Sequence, residues 1–239
     1  MPAGDNCSIR RSSEPLSQLS AIEAAALAER LEALRRELPV QTRLLAVSKG
    51  HPAAAIRALA ALGQHSFAES RLQEAMAKQQ QLQDLPALDW HFIGRLQANK
   101  ARSVLRQFGT IHSLDSLPLA QRLARIAGEE GLSPAVLVQV KLRSDPSKTG
   151  FDAEELRQCW PALQALQPLR LQGLMTMAPL GLEPEQHLQL FRECAALAAE
   201  LGLKELSMGM SGDWRQAAAA GSTWVRIGTT LFGPKPCQL

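Results

Sequence analysis

Two stretches near the C-terminus have the composition of an anion seat. The first reads Leu206-Ser207-Met208-Gly209-Met210-Ser211-Gly212-Asp213 and the second Arg226-Ile227-Gly228-Thr229. Each has the form of a strand running into small residues, where glycines let the backbone approach a ligand and the Ser211 and Thr229 hydroxyls add donors. Together such loops can hold a phosphate dianion. Far upstream, Lys49 closes the apolar run Leu44-Leu45-Ala46-Val47-Ser48-Lys49. A primary amine beside a phosphate seat suits an aldehyde cofactor with a phosphate tail, with the amine bonding to the aldehyde carbon. These residue types point to a pyridoxal phosphate (PLP) site with Lys49 as the Schiff-base lysine.

Each of these residues also has a plainer role to set against the chemical one. A lysine at a strand end is most often a solvated charge; an apolar setting opposite an anion seat would instead favour the neutral amine that attacks an aldehyde. Arg226 lies two residues before Gly228, so strand alternation points both the same way. An inward arginine needs a partner. Two readings stand: an internal ion pair with a carboxylate such as Asp115 or Glu69, or a guanidinium facing the pyridine nitrogen of the cofactor. A permanent cation there disfavours protonation of that nitrogen and weakens the ring as an electron sink. That arrangement suits holding the cofactor better than driving carbanion chemistry.

His51, His65, His91 and His112 stand without a Cys or carboxylate cluster at metal spacing, so they read as structural, and no metal is expected. Ser211 lacks the G-x-S-x-G context of a hydrolase nucleophile. Met175, Met177, Met208 and Met210 read as core filling.

Short apolar strands alternate with amphipathic helices along the chain and present these residues. Strands are expected at 43–49, 65–70, 89–94, 109–115, 135–142, 170–178, 205–211 and 223–228. An opening helix over 16–38 precedes them, and helices fall near 53–62, 71–83, 97–107, 117–130, 152–167, 184–200 and 214–220. Pro52, Pro118 and Pro184 stand where a first helical turn tolerates proline. The unbroken alternation predicts a single (β/α)8 TIM-type barrel with an extra N-terminal helix, an open eight-stranded sheet being the alternative. In such a barrel Lys49, Ser70, Gly94, Asp115, Arg143 to Ser147, Thr176, Ser211, Arg226, Gly228 and Thr229 gather at the C-terminal ends of the strands. Phosphate commonly binds after the last two.

With 239 residues and a hydrophobic fraction of 46%, the chain suits one such domain over 16–239. Residues 1–15 are polar, without a signal-peptide core, and read as a flexible tail. Basic and acidic residues number 26 and 23, which gives no pull toward nucleic acid. The run from Arg95 to Arg106 reads as a solvated helix face. Cys7, Cys159, Cys194 and Cys237 are scattered, as in a reducing compartment. A soluble, cytoplasmic protein without a membrane span is expected.

On these residues the chain resembles the YggS/PROSC (PLPBP) family of pyridoxal phosphate homeostasis proteins, whose barrel is that of the alanine racemase N-terminal domain (fold-type III). The matching stretches are AVSKGHP (46–52), FAESRLQEA (67–75), WHFIGRLQANK (90–100), IHSLDS (111–116), SKTG (147–150), GLMTMAP (173–179), LSMGMSGDW (206–214) and GSTWVRIGTTLFG (221–233). The resemblance implies a PLP lysine at Lys49, phosphate contacts from Ser211, Gly212, Gly228 and Thr229, and Arg226 facing the pyridine nitrogen. It also implies a monomeric carrier without established turnover, one that buffers PLP or delivers it to apo-enzymes.

The family's F-G-E-N motif is Phe67-Ala68-Glu69-Ser70 here. Ser70 therefore replaces a longer amide near the cofactor with a shorter donor. A PLP-dependent amino-acid racemase is the main alternative. It needs a second acid, a tyrosine in alanine racemases, and a closing β-domain; this sequence has no tyrosine. A cofactor-free Schiff-base aldolase would also want a lysine and a phosphate seat.

Overall fold

The computed structural model describes residues 19–145 and 148–234. The tail expected over 1–15, Ser147, Cys7 and Cys237 lie outside the described residues. After α1 (Ala21–Glu37) come β1 (Arg43–Val47), α2 (Ala53–Ala61), β2 (Ser66–Glu69), α3 (Leu72–Gln81), β3 (Asp89–Phe92), α4 (Ala101–Gln107), β4 (Thr110–Leu114), α5 (Leu117–Glu130) and β5 (Ala135–Lys141). The second half runs β6 (Phe151–Asp152), α6 (Ala153–Gln164), β7 (Arg170–Met175), α7 (Pro184–Glu200), β8 (Glu205–Ser207), α8 (Trp214–Ala219), β9 (Trp224–Ile227) and α9 (Thr229–Phe232).

The strands pair in parallel in the order β4-β3-β2-β1-β9-β8-β7-β5, and β4 pairs again with β5. That last pairing closes eight strands into a barrel, as the strand–helix alternation predicted. The two-residue β6 only adds to the end of β5. Local chemistry marks the start of three helices. Ser20 and Glu23 form a reciprocal capping box on α1, Pro184 occupies the first turn of α7, and the Asp152 side chain caps α6.

Strand alternation divides the side chains between two environments. Leu44, Ala46, Phe67, Val225 and Ile227 face outward and pack with α1, α2 and Phe232. Leu45, Val47, Ala68 and Trp224, joined by Ile93, form a separate small cluster in the lumen. The lumen around them is polar. His91, His112, Ser207 and Arg226 are all buried there.

Two expectations are corrected. The strands end earlier than their apolar runs, so Lys49, Ser70, Gly94, Asp115, Thr176 and Ser211 stand just beyond their strands. The backbone turns off the ladder there: the His51 N–H bonds to the Ser48 carbonyl, closing the turn that carries Lys49 and Gly50 (φ +79°). Of the four methionines, Met175 and Met208 are buried, whereas Met177 is half-buried and Met210 is exposed beside the Ser211 loop. The short helix α9 goes unannounced because its four residues, Thr-Thr-Leu-Phe, show no helical period.

Gly209 carries the chain from β8 into that loop with φ +85°. A Cβ on it would stand 2.6 Å from the Ala217 Cβ and 2.8 Å from the Trp214 Cα. Gly209→Ala is expected to destabilise the protein by about 2–4 kcal/mol, combining a left-handed backbone with overpacking. Chemical denaturation of the two proteins side by side measures this.

Candidate functional site

Lys49 sits on the β1–α2 turn, solvent-exposed at the rim of the barrel. The apolar surrounding expected for its amine is therefore absent, because the turn lifts the residue off the strand. The turn itself is held rigidly from below. The Ser48 hydroxyl donates to Glu69 Oε1 at 2.7 Å, and the Lys78 ammonium donates to the Ser48 carbonyl at 2.7 Å. The same ammonium binds Glu69 at 2.6 Å and Glu74 at 2.7 Å. The Gly50 N–H in turn donates to Glu74. Lys49 is thus flanked by two residues tied to one buried ionic cluster.

Burial raises the Glu69 carboxyl above its ordinary range, against the pull of Lys78 and the Ser48 hydroxyl. Burial also works against Glu74, but Lys78 and the Gly50 N–H hold it low. Sequence reasoning missed this cluster, although Glu74 and Lys78 carry its signal, an acid four residues before a base on one helix.

The two small-residue loops meet as expected. β1 and β9 pair with Ala46 opposite Ile227, which brings Gly228 beside the end of β1. The Arg226 N–H bonds to the Gly209 carbonyl at 3.0 Å, tying β9 to the loop after β8. Beyond this link, the Thr230 N–H and the Ser211 hydroxyl approach to 3.4 Å. So long a contact is weak: the Ser211 hydroxyl can rotate, and the fixed Thr230 N–H can donate to an acceptor placed between the loops. Gly212 and Thr229 are exposed beside them, and a Cβ on Gly212 would meet nothing within 4 Å. Ser211, Gly212, Gly228, Thr229 and Thr230 thus form an open shelf of hydroxyl and backbone donors.

Arg226 is 4% exposed. Its guanidinium donates to the Ser207 carbonyl at 2.6 Å, the Ser207 hydroxyl at 2.7 Å and the Thr176 carbonyl at 2.9 Å. These partners stand in place of the expected ion pair: Asp115 lines a surface hollow with Arg95 and Arg122, and Glu69 is taken by Lys78. Burial draws the guanidinium down to about 10, opposed by the charge of Asp213 and by Cys194. Arg226 remains cationic at neutral pH. Ser70 follows β2 at the same end of the barrel, half-buried, with its backbone pressed so closely on Gly94 that no Cβ fits there.

The run from Arg95 to Arg106 is solvated, as expected: Arg102 and Arg106 pair with Glu130 across α4 and α5. His51 is buried and stacks on Phe232 at 4.8 Å.

Lys78→Met is expected to cost about 3–5 kcal/mol, because it leaves Glu69 buried without a counter-charge. A carboxyl with a raised folded-state value favours the folded state at low pH and loses that advantage as pH rises. The deficit of the variant should therefore shrink as pH falls toward the carboxyl range. Denaturation measured across that range checks both the size and the sign.

Residues 22–236 match the family model for the alanine racemase N-terminal domain. A pyridoxal phosphate homeostasis protein from Synechocystis is 47% identical over 204 residues, covering 83% of this chain and 94% of the relative. One from Pseudomonas aeruginosa is 45% identical over 215 residues, covering 89% and 92%. The structure of PipY from Synechococcus elongatus, solved with PLP bound, superposes with a TM-score of 0.84 at 52% identity and covers 87% of this chain and 100% of PipY. Alanine racemase from Clostridium difficile shares the fold, with a TM-score of 0.71 at 19% identity, covering 90% of this chain and 58% of the racemase.

Proposed function

The chain belongs to the family of pyridoxal phosphate homeostasis proteins, and on that premise we propose that it binds PLP at the barrel mouth as a Schiff base on Lys49. In this reading it buffers the cofactor or delivers it to apo-enzymes. The observation that carries the proposal is the convergence of three unlike groups at one barrel end: an exposed amine on a braced turn, an open shelf of donors, and a buried cation. The donor set fits the cofactor. Ser211, Gly212, Gly228, Thr229 and Thr230 would hold the phosphate, Arg226 would face the pyridine nitrogen, and Ser70 would lie beside the ring. PLP itself supplies the reactive aldehyde.

In the capture step the Lys49 nitrogen bonds to the aldehyde carbon, and the oxygen leaves as water with both amine protons. Release is the reverse, with water or an incoming amine displacing Lys49. The exposure of Lys49, Gly212 and Thr229 supports access for that second nucleophile.

We read the protein as a carrier rather than an enzyme. A two-base racemase needs a second acid across the ring, and no tyrosine is available for that role. A cation facing the pyridine nitrogen also suits retention rather than carbanion chemistry. We place it in the cytoplasm as a monomeric, single-domain protein spanning residues 16–239. Cys159 and Cys194 are free thiols, and among the described residues no helix is long and apolar enough to cross a membrane.

Titration of the purified protein with PLP, followed by visible absorption, tests the proposal. The Schiff-base band should appear in the wild type and be lost in Lys49→Ala, which should still bind PLP noncovalently through the phosphate shelf. Complete loss of binding by Lys49→Ala would contradict the role of the shelf. Arg226→Leu should move the band, and an unmoved band would remove Arg226 from the ring.

A further inference from the structure

The lumen holds a hydrogen-bond chain that the binding proposal does not use. At the floor of the barrel, Asp89 Oδ2 lies 2.6 Å from His91 Nε2. The Nδ1 of His91 lies 2.8 Å from His112 Nε2, and His112 Nδ1 lies 2.8 Å from the Ser207 hydroxyl. That hydroxyl is the one bonded to Arg226 at 2.7 Å. His91, His112, Ser207 and Arg226 are all at most 4% exposed, whereas the Asp89 side chain is 49% exposed. The chain crosses the barrel from a solvated carboxylate at one end to a buried cation near the other.

Both ends set the same direction. A guanidinium only donates, so Ser207 accepts from Arg226 and keeps its own proton for His112 Nδ1. An ionised carboxylate only accepts, so His91 Nε2 carries a proton toward Asp89. In the assignment that puts a single proton on each ring, His112 Nε2–H donates to His91 Nδ1. Every bond then runs from Arg226 toward Asp89 without conflict. Burial, followed by the neighbouring His91 and Arg226, holds His112 well below its ordinary range, in keeping with a neutral ring. The His91 bond in turn holds the Asp89 carboxyl below its own range.

We propose that Asp89, His91, His112 and Ser207 are positioning residues for Arg226, a one-way chain that fixes the guanidinium and links its electrostatics to a carboxylate on the opposite face of the barrel. Aligned bonds polarise one another in a low-dielectric interior. The charge of Asp213 also acts on Arg226, while its Oδ1 accepts from the Met210 N–H. The effect on the cofactor rests on the binding proposal above; the chain itself does not.

The test therefore has two arms. In the ligand-free protein, nitrogen NMR of the imidazoles should show the proton of each ring on Nε2, with His91 Nδ1 and His112 Nδ1 as acceptors. A doubly protonated ring, or a proton on Nδ1 of either, overturns the assignment.

In the PLP-loaded protein, Asp89→Asn keeps the shape at the floor but removes the charge, and it should displace the absorption band. His112→Leu interrupts the chain and should weaken PLP binding roughly tenfold, with partial rescue by His112→Gln, whose amide both accepts and donates. Glu185→Gln, on the exposed start of α7, should change neither readout. An Asp89→Asn band that coincides with the wild type overturns the long-range link. If the wild type takes up no PLP, the binding proposal fails, and the NMR arm alone judges the chain.

Discussion

A permanent charge sealed inside a barrel constrains everything around it. Arg226 cannot shed its proton at neutral pH, and leaving its donors unpaired in the lumen would cost several kcal/mol. The structure meets that demand with acceptors from two neighbouring strand ends, the Ser207 carbonyl and hydroxyl and the Thr176 carbonyl. Those acceptors exist only if β7, β8 and β9 close in the observed order. The same strands deliver the Ser211 and Gly228 loops to one face. The energetics of one arginine and the geometry of the donor shelf are therefore linked through the same three strands.

The amine is positioned by separate means. Lys49 is not desolvated, and what organises it is the cluster beneath the turn, where Lys78 joins Glu69, Glu74 and the Ser48 carbonyl. An exposed amine on a rigid turn can meet a cofactor arriving from solvent and can also give it up. A site built for turnover would gain from excluding water. The openness of this rim agrees with reversible holding, and the relatives named as homeostasis proteins share most of their length with this chain.

The sequence carried the barrel well because its signal is repetitive: eight apolar runs alternate with helical stripes, and each run has to sit between lumen and helix layer. It also carried the small-residue loops, because clustered glycine and serine after a strand mark a loop with accessible backbone and hydroxyl donors. It did not carry where the strands end. An apolar run continues past the last ladder bond, so Lys49 looked embedded when it stands on a turn. Nor did it carry the lumen. Nothing in the spacing of His91 and His112 announces their mutual bond or their links to Asp89 and Ser207, which span β3, β4 and β8. Pairings of that kind depend on barrel register, which no local pattern encodes. The partner of Arg226 was missed for the same reason, since backbone carbonyls leave no compositional trace.

The most direct test of the account is covalent. The protein would be mixed with PLP, reduced with borohydride and digested, and its peptides weighed by mass spectrometry. The account predicts a pyridoxyl group on the peptide bearing Lys49, at the lysine itself. An unmodified Lys49, with the label absent or on another lysine, would contradict it.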